Sequence, residues 1–414
     1  DPPIVMAKLQ TISEAEIQEI SSTVKSRVVT EVVTQIQDML GQLKSATLEI
    51  AVTGESGSGK SSFINAFRGM GDEDPEAART GVTETTGEIM AYAHPTVPTV
   101  RLWDLPGIGT PSFQPQHYLE AVRLYQYDFF IIVTSERFRE CHVILAKYVA
   151  QAGKRFYFVR NKVDNDVAAT ARRRGGDSST VLNQIRTNCE AGLRQCGVDH
   201  PRVFLISSFE PQCFDFPQLQ KTLVSELEGH KRHIFLLALP NLTSAVLKNK
   251  RQALSGSLWR TAMAACLGAM TPGGAMCSSV PLLMDTLRSY QQNFGLDTNS
   301  LHRLAGLTGK SYEELRREVR STSGQELSMD GVERMLSQAA MGQQVLAGML
   351  ENRIPVLGTV ASGGVSFIAS YCLLRSAIND LSEDAERVMR KALNGSDLEY
   401  PEYQEDVPDP GEFY

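Results

Sequence analysis

The sequence predicts an α/β fold with a mostly parallel sheet, followed by an all-helical half. Three observations carry this. Short apolar runs alternate with longer amphipathic stretches between residues 48 and 208. The runs lie too far apart for hairpins, so crossover helices should join them and make neighbouring strands parallel. After about residue 235 no such run recurs, and apolar residues return at helical spacing.

Taken in order, "SEAEIQEISSTVKSRVVTEVVTQIQDMLGQL" reads as helix. Ser13 and Glu16 fit a capping box. Ile17, Ile20, Val24, Val28, Val32, Ile36, Met39 and Leu43 recur every three or four residues, an apolar stripe. "LEIAVTG" (48–54), "VRLWDLPG" (100–107), "FFIIVTS" (129–135), "RFYFVRNK" (155–162) and "RVFLISS" (202–208) read as buried strands, with "GEIMAYA" (87–93) as an added edge. "HKRHIFLLALPNLTSAVLKNKRQAL" opens a helical part running to about 393. It contains two uncharged stretches. Thr261–Met284 is broken by "TPGG" and Pro281; Pro355–Leu374 holds Gly358, Gly363, Gly364 and several hydroxyls. Spanning a bilayer takes about twenty sustained apolar residues, so both stretches favour buried helices over membrane spans, with reversible membrane contact as the second reading of Pro355–Leu374. His230, Arg232 and His233 read as a helix junction rather than a metal site, and Arg172, Arg173 and Arg174 as a solvated loop. The expected division is an N-terminal helical segment (1–46), an α/β domain (47–235), a C-terminal helical domain (236–393) and a tail (394–414) without packed structure.

Net charge is −7, from 41 basic and 48 acidic residues. The stretch from Gly395 onward holds Asp397, Glu399, Glu402, Glu405, Asp406, Asp409 and Glu412 and no base, which accounts for the whole imbalance. The nearly neutral body lacks the basic footprint of a nucleic-acid binder. The 7 cysteines are scattered without a CxxC, which fits a reducing, cytoplasmic compartment and suggests no zinc site. The chain opens "DPPIVMAK" rather than with Met, so an N-terminal lipidation signal stays open.

"IAVTGESGSGKSSF" carries the clearest chemistry. Gly54, Glu55, Ser56, Gly57, Ser58, Gly59, Lys60 and Ser61 fit GxxxxGK[ST], after a strand and before a helix, with Ser62 following. Glycines let backbone N–H groups curl around phosphate oxygens at a helix N-terminus. Lys60 would reach the β/γ-phosphates, and the Ser61 hydroxyl would ligate Mg²⁺. In "RNKVDND", Asn161, Lys162 and Asp164 close an apolar strand. An ionised carboxylate only accepts hydrogen bonds. Guanine offers it two adjacent donors, whereas adenine presents a lone pair, so Asp164 points to GTP or GDP over ATP. In "LWDLPGIG", Asp104 would hold Mg²⁺ through water and the Gly107 N–H would sense the γ-phosphate. Ser207 and Ser208 in "LISSFE" either contact the base or are ordinary strand-end residues. "RTGVTETTGE" offers Thr80, Thr83, Thr85 and Thr86 as a switch threonine, and spacing does not choose among them. Ile108 stands where Ras-like enzymes carry a water-orienting glutamine, so intrinsic hydrolysis should be slow unless another group or a second molecule helps.

Together "GESGSGKSSFINAFRGMG", "TGVTETT", "HPTVPTVRLWDLPGIGTPSF", "YDFFIIVTS", "KRFYFVRNKVDND", "PRVFLISSFE", "FDFPQL" and "HKRHIFLLALP" resemble the immunity-related GTPases, an interferon-inducible, dynamin-like family. Lys60 places the chain with the GKS class. The resemblance implies a Ras-like P-loop G domain plus a helical domain built jointly from N- and C-terminal segments. It implies GTP hydrolysis activated by a homodimer or oligomer through the G domains. It implies a cytoplasmic protein peripherally associated with endomembranes, assembling on pathogen-containing vacuoles in innate defence. It aligns Glu84 with a catalytic switch glutamate, and Thr80 and Thr86 with switch threonines, Thr86 as the Mg²⁺ ligand. Asn161 departs from the Thr found in many relatives, without weakening the guanine reading. A constitutive branch, similar at "IPVLGTVASGGVSF", keeps a second possibility open: a GTP/GDP-controlled switch with incidental hydrolysis and no defence role.

Overall fold

A computed structural model describes residues 14–23, 29–81, 88–108, 118, 121–172, 177–195, 197–198, 200–268, 279–340 and 367–393. Six strands form one sheet: β1 (Leu48–Gly54), β2 (Met90–Ala93), β3 (Val100–Asp104), β4 (Phe129–Thr134), β5 (Arg155–Arg160) and β6 (Val203–Leu205). The order is β2-β3-β1-β4-β5-β6, parallel except for β2, which runs antiparallel along the β3 edge. β4 is buried along its whole length, as expected of a central strand covered on both faces. β2 is short and largely exposed, as an edge tolerates.

Side-chain alternation sends Ile50 and Val52 of β1 to one face and Ala51 to the other. On the first face, Phe63 and Phe67 of α1 (Lys60–Phe67) pack with Phe216 of α2 (Phe216–Glu226) and Phe235 of α3 (Gly229–Ala238). On the second, Leu145 and Val149 of α4 (Glu140–Gln151), Val163 of α5 (Val163–Ala171) and Leu193 of α6 (Ser178–Gln195) meet Phe130, Ile132 and Phe158.

A third core is built mainly from helices. It joins α7 (Glu14–Thr23) and α8 (Val29–Ser45) from the N-terminal segment to α9 (Ser244–Gly268), α10 (Ser279–Asn293), α11 (Thr298–Thr308), α12 (Tyr312–Arg316), α13 (Met329–Ala340) and α14 (Phe367–Leu393). Ile20, Val32 and Ile36 of the predicted stripe are buried there in one cluster with Trp259 and Tyr371, and Ile17 and Met39 are partly buried against it; Val24 and Val28 lie outside the described residues. The Trp259 indole donates to Glu19 Oε1 at 3.2 Å, tying the two chain segments. α3 links two cores, giving Phe235 to the sheet core and Leu237 to the helical one.

Of the uncharged stretches, Phe367–Leu374 opens α14 largely buried; residues 355–366 and 269–278 are outside the described set, as are Ser13, Arg173, Arg174 and the acidic tail. No described helix is long and apolar enough to cross a membrane. Arg232 donates to the Leu227 and Ser225 carbonyls, in keeping with a junction.

Candidate functional site

Glycine is required where β1 turns into α1. Gly54 has φ +147°, and a Cβ there would sit 1.9 Å from the Val133 carbonyl oxygen of the neighbouring strand. Gly59 caps α1 at φ +87°, and a Cβ would come within 2.5 Å of Asn161 Nδ2. No side chain caps α1, so its first N–H groups are left for a ligand. Buried Lys60 folds back, its Nζ donating to the Glu55 carbonyl at 3.0 Å and more weakly to that of Gly54 at 3.4 Å. Ser61 Oγ donates to Asp104 Oδ2 at 2.7 Å, so these two candidate cation ligands, far apart in sequence, meet directly. The pair is all oxygen, the donor type hard divalent cations prefer.

Asn161 is the hub. Its Nδ2 donates to the Ser58 carbonyl at 3.2 Å, and its Oδ1 accepts from the Lys162 N–H, the Ser208 N–H and the Ser208 hydroxyl. Phosphate loop, "NKVD" loop and "SSFE" loop are thereby one unit. Lys162, at φ 62°, lays its side chain across the phosphate loop and donates to the Gly57 carbonyl at 2.8 Å. Asp164 Oδ1 is buried without a hydrogen-bond partner. A cavity of about 170 Å³ opens here, lined by Ser56, Gly57, Gly59, Lys60, Ser61, Ser62, Thr80, Gly107, Asn161, Lys162, Asp164, Ser208 and Phe209.

Other expected residues stand apart from it. Ser58 and Ser207 are buried, Ser207 Oγ accepting from the Phe209 N–H. The Glu55 carboxylate turns towards α4, where its Oε1 lies 3.3 Å from the Arg139 guanidinium and 3.6 Å from both His142 Nε2 and Cys141 Sγ. This trio could hold a metal ion by distance, but His142 Nδ1 accepts the Arg139 N–H, which keeps the ring proton on Nε2, facing Glu55. Burial and Arg139 push the His142 imidazole down to about 4, so it is neutral near pH 7. Glu55 therefore anchors the loop from behind.

Gly107 packs on the loop, where a Cβ would lie 3.1 Å from the Ser56 nitrogen. The Ile108 N–H donates to the Gly54 carbonyl at 3.0 Å while its side chain is buried in the second-face core. Thr80 reaches the cavity; Thr83, Glu84, Thr85 and Thr86 lie outside the described residues. Phe209 is the residue the sequence reading passed over. It is 71% exposed beside Lys162 and Asp164, and only its place after "SS" hinted at this.

The model of the interferon-inducible GTPase family (IIGP) matches residues 13–392. The chain is 40% identical over 395 residues to interferon-inducible GTPase 5 of Bos taurus, covering 94% of this chain and 85% of that one. It is 36% identical over 385 residues to interferon-gamma-inducible GTPase 10 of Mus musculus, covering 92% and 90%. It is 43% identical over 274 residues to interferon-inducible GTPase 1 of Mus musculus, covering 65% and 66%.

Proposed function

The chain belongs to the interferon-inducible GTPase family and is a GTPase, and from that premise we propose how its site selects and hydrolyses GTP. The observation that carries the reading is the buried Asp164 oxygen without a partner. Guanine N1–H and its exocyclic amine would satisfy it, and adenine would leave it desolvated. Lys162 would lie along the base, and Phe209 would cover its open side. The phosphates would take the α1 N-terminus and the backbone of residues 54–61. Lys60 would then exchange the Glu55 and Gly54 carbonyls for phosphate oxygens, trading neutral acceptors for charged ones. Ser61 and Asp104 would hold Mg²⁺, with Thr86 from the switch segment, and the ion would supply neutralisation of phosphate charge.

Hydrolysis needs a group to orient water, and Ile108 is committed to the core. We assign that role to Glu84, with completion of the site by a second copy across the G-domain face. The reading extends to nucleotide-dependent assembly of a cytoplasmic protein on intracellular, pathogen-containing vacuole membranes in innate defence, supported by family membership over nearly the whole chain. The competing reading is a GTP/GDP-controlled binding switch with incidental hydrolysis.

GTP hydrolysis per molecule across a protein dilution series separates them, with Lys60→Ala and Glu84→Ala as controls. Specific activity should climb with concentration in the wild type and stay flat in both variants. Flat, slow turnover alongside tight nucleotide binding would favour the switch and strip Glu84 of its role.

A further inference from the structure

A second cavity, of about 430 Å³, lies between the sheet domain and the helical half and adjoins the first through Ser62, Ser208 and Phe209. Its size falls in the range of small-molecule sites. Four cations line it: Arg68 after α1, Lys250 on α9, Arg303 on α11 and Lys310 beyond it. None of the four forms an ion pair among the described residues.

Arg68 is engaged by the Ala93 and Glu76 carbonyls. The others have capacity to spare. Lys250 is 2% exposed, and its Nζ donates to the Asn293 carbonyl at 2.8 Å, one bond for three donors. Arg303 Nη2 donates to Ser300 Oγ at 3.0 Å, leaving most of its fork unused. His94, 4% exposed, accepts the Thr96 N–H at Nδ1, which leaves its ring proton on Nε2. That buried Nε2 makes no well-formed hydrogen bond, although the Ala238 carbonyl is near enough to favour protonation. The acid in the lining, Asp72, gives its two oxygens to Ser62 and Asn65, while Asp74 and Glu76 act on Arg68.

The cations also disfavour a charge on His94. Burial first, then Lys250, Arg68 and Arg303, hold the His94 imidazole well below its ordinary value. Burial alone pushes the Lys250 amine down to about 7. Four cations thus face one lining carboxylate whose oxygens are already engaged, so the cavity's charge is not balanced from within. We propose that this cavity binds a small phosphorylated molecule, its phosphate held by Lys250, Arg303 and the His94 Nε2–H and its organic part against Pro240, Leu304 and Leu307. An arginine fork beside an ammonium suits phosphate oxygens. Bound there, the ligand bridges the loop behind α1 to α9 and α11, and so braces the G domain against the helical half.

The test uses the full chain saturated with GDP and Mg²⁺, so that the phosphate loop is filled, titrated calorimetrically with inorganic pyrophosphate. The wild type should bind one equivalent while a fluorescent GDP analogue stays in place. Arg303→Gln should weaken pyrophosphate at least tenfold and keep its GDP affinity. Lys310→Gln, on the same wall, should weaken it about threefold and serves if Arg303→Gln folds poorly. The proposal is overturned if pyrophosphate displaces the GDP analogue, if it does not bind the loaded wild type, or if both variants bind it as tightly as wild type.

Discussion

In the helical half, Asp384 is fully buried on α14 and accepts from the Arg320 and Ser321 N–H groups, the Ser321 hydroxyl and the Arg387 guanidinium. The chain wraps it so closely that a Cβ at Gly324 would come within 2.6 Å of its Oδ2. At the end of the sheet, Asp164 is half-buried and keeps one buried oxygen that nothing meets. Both carboxylates bear a desolvation cost. Folding offsets it in full at Asp384 and leaves it standing at Asp164, where only a donor from outside can offset it. The same contrast holds between regions: the helical core closes on itself around Asp384, and the end of the sheet that carries the phosphate loop, with the cavity beside it, is left to be completed.

Breaking the satisfied side should have the largest effect. Asp384→Ala strands Arg387 and two N–H groups, and should cost about 3–5 kcal/mol. Thermal unfolding reads this, and a melting point within about 2 °C of wild type would contradict the comparison.

Lys250 comes next, as a buried amine on α9 that lines the second cavity. Its amine is at about 7 in the fold and near its ordinary 10.5 when unfolded, so the unfolded chain binds more protons between those values. Stability should therefore rise with pH across about 7 to 10 and lose this contribution as pH falls to 7. Lys250→Met should abolish that slope and be more stable than wild type at pH 7 by about 2–3 kcal/mol, after loss of the Asn293 bond is discounted. Urea unfolding at pH 7 and 9 checks both the sign and the slope.

Asn161→Ala removes the hub joining three loops and should cost about 1–2 kcal/mol while speeding GDP release, measured by stopped-flow fluorescence. Phe209→Ala sharpens the comparison from the other end. Stability should change by less than about 0.5 kcal/mol because the ring is exposed, and GTP should bind a few-fold more weakly.

Much of this was legible in the chain itself. The strands could be read because each is a short apolar run that a two-sided parallel sheet demands. The shared helical core could be read in the Ile20, Val32 and Ile36 stripe, although the partner segment lies some two hundred residues on and came from the family resemblance. The phosphate loop was legible because Gly54 and Gly59 have steric reasons that any residue with a Cβ would violate. What stayed hidden depends on where distant segments meet. Nothing in GxxxxGKS shows that Glu55 turns away, since Arg139 and His142 arrive only when α4 packs. His94, Lys250 and Arg303 form no motif, because three separate elements bring them to one cavity.

The measurement that bears most directly on the central claim is a titration of Asp164→Asn with GTP and ATP beside the wild type, with the melting points of both. An unmet carboxylate oxygen kept for guanine predicts that GTP affinity falls about a hundredfold, that the preference over ATP relaxes, and that the melting point holds within about 2 °C. A variant that keeps full GTP selectivity, or one that loses stability as Asp384→Ala should, would show that Asp164 belongs to the fold rather than to the ligand.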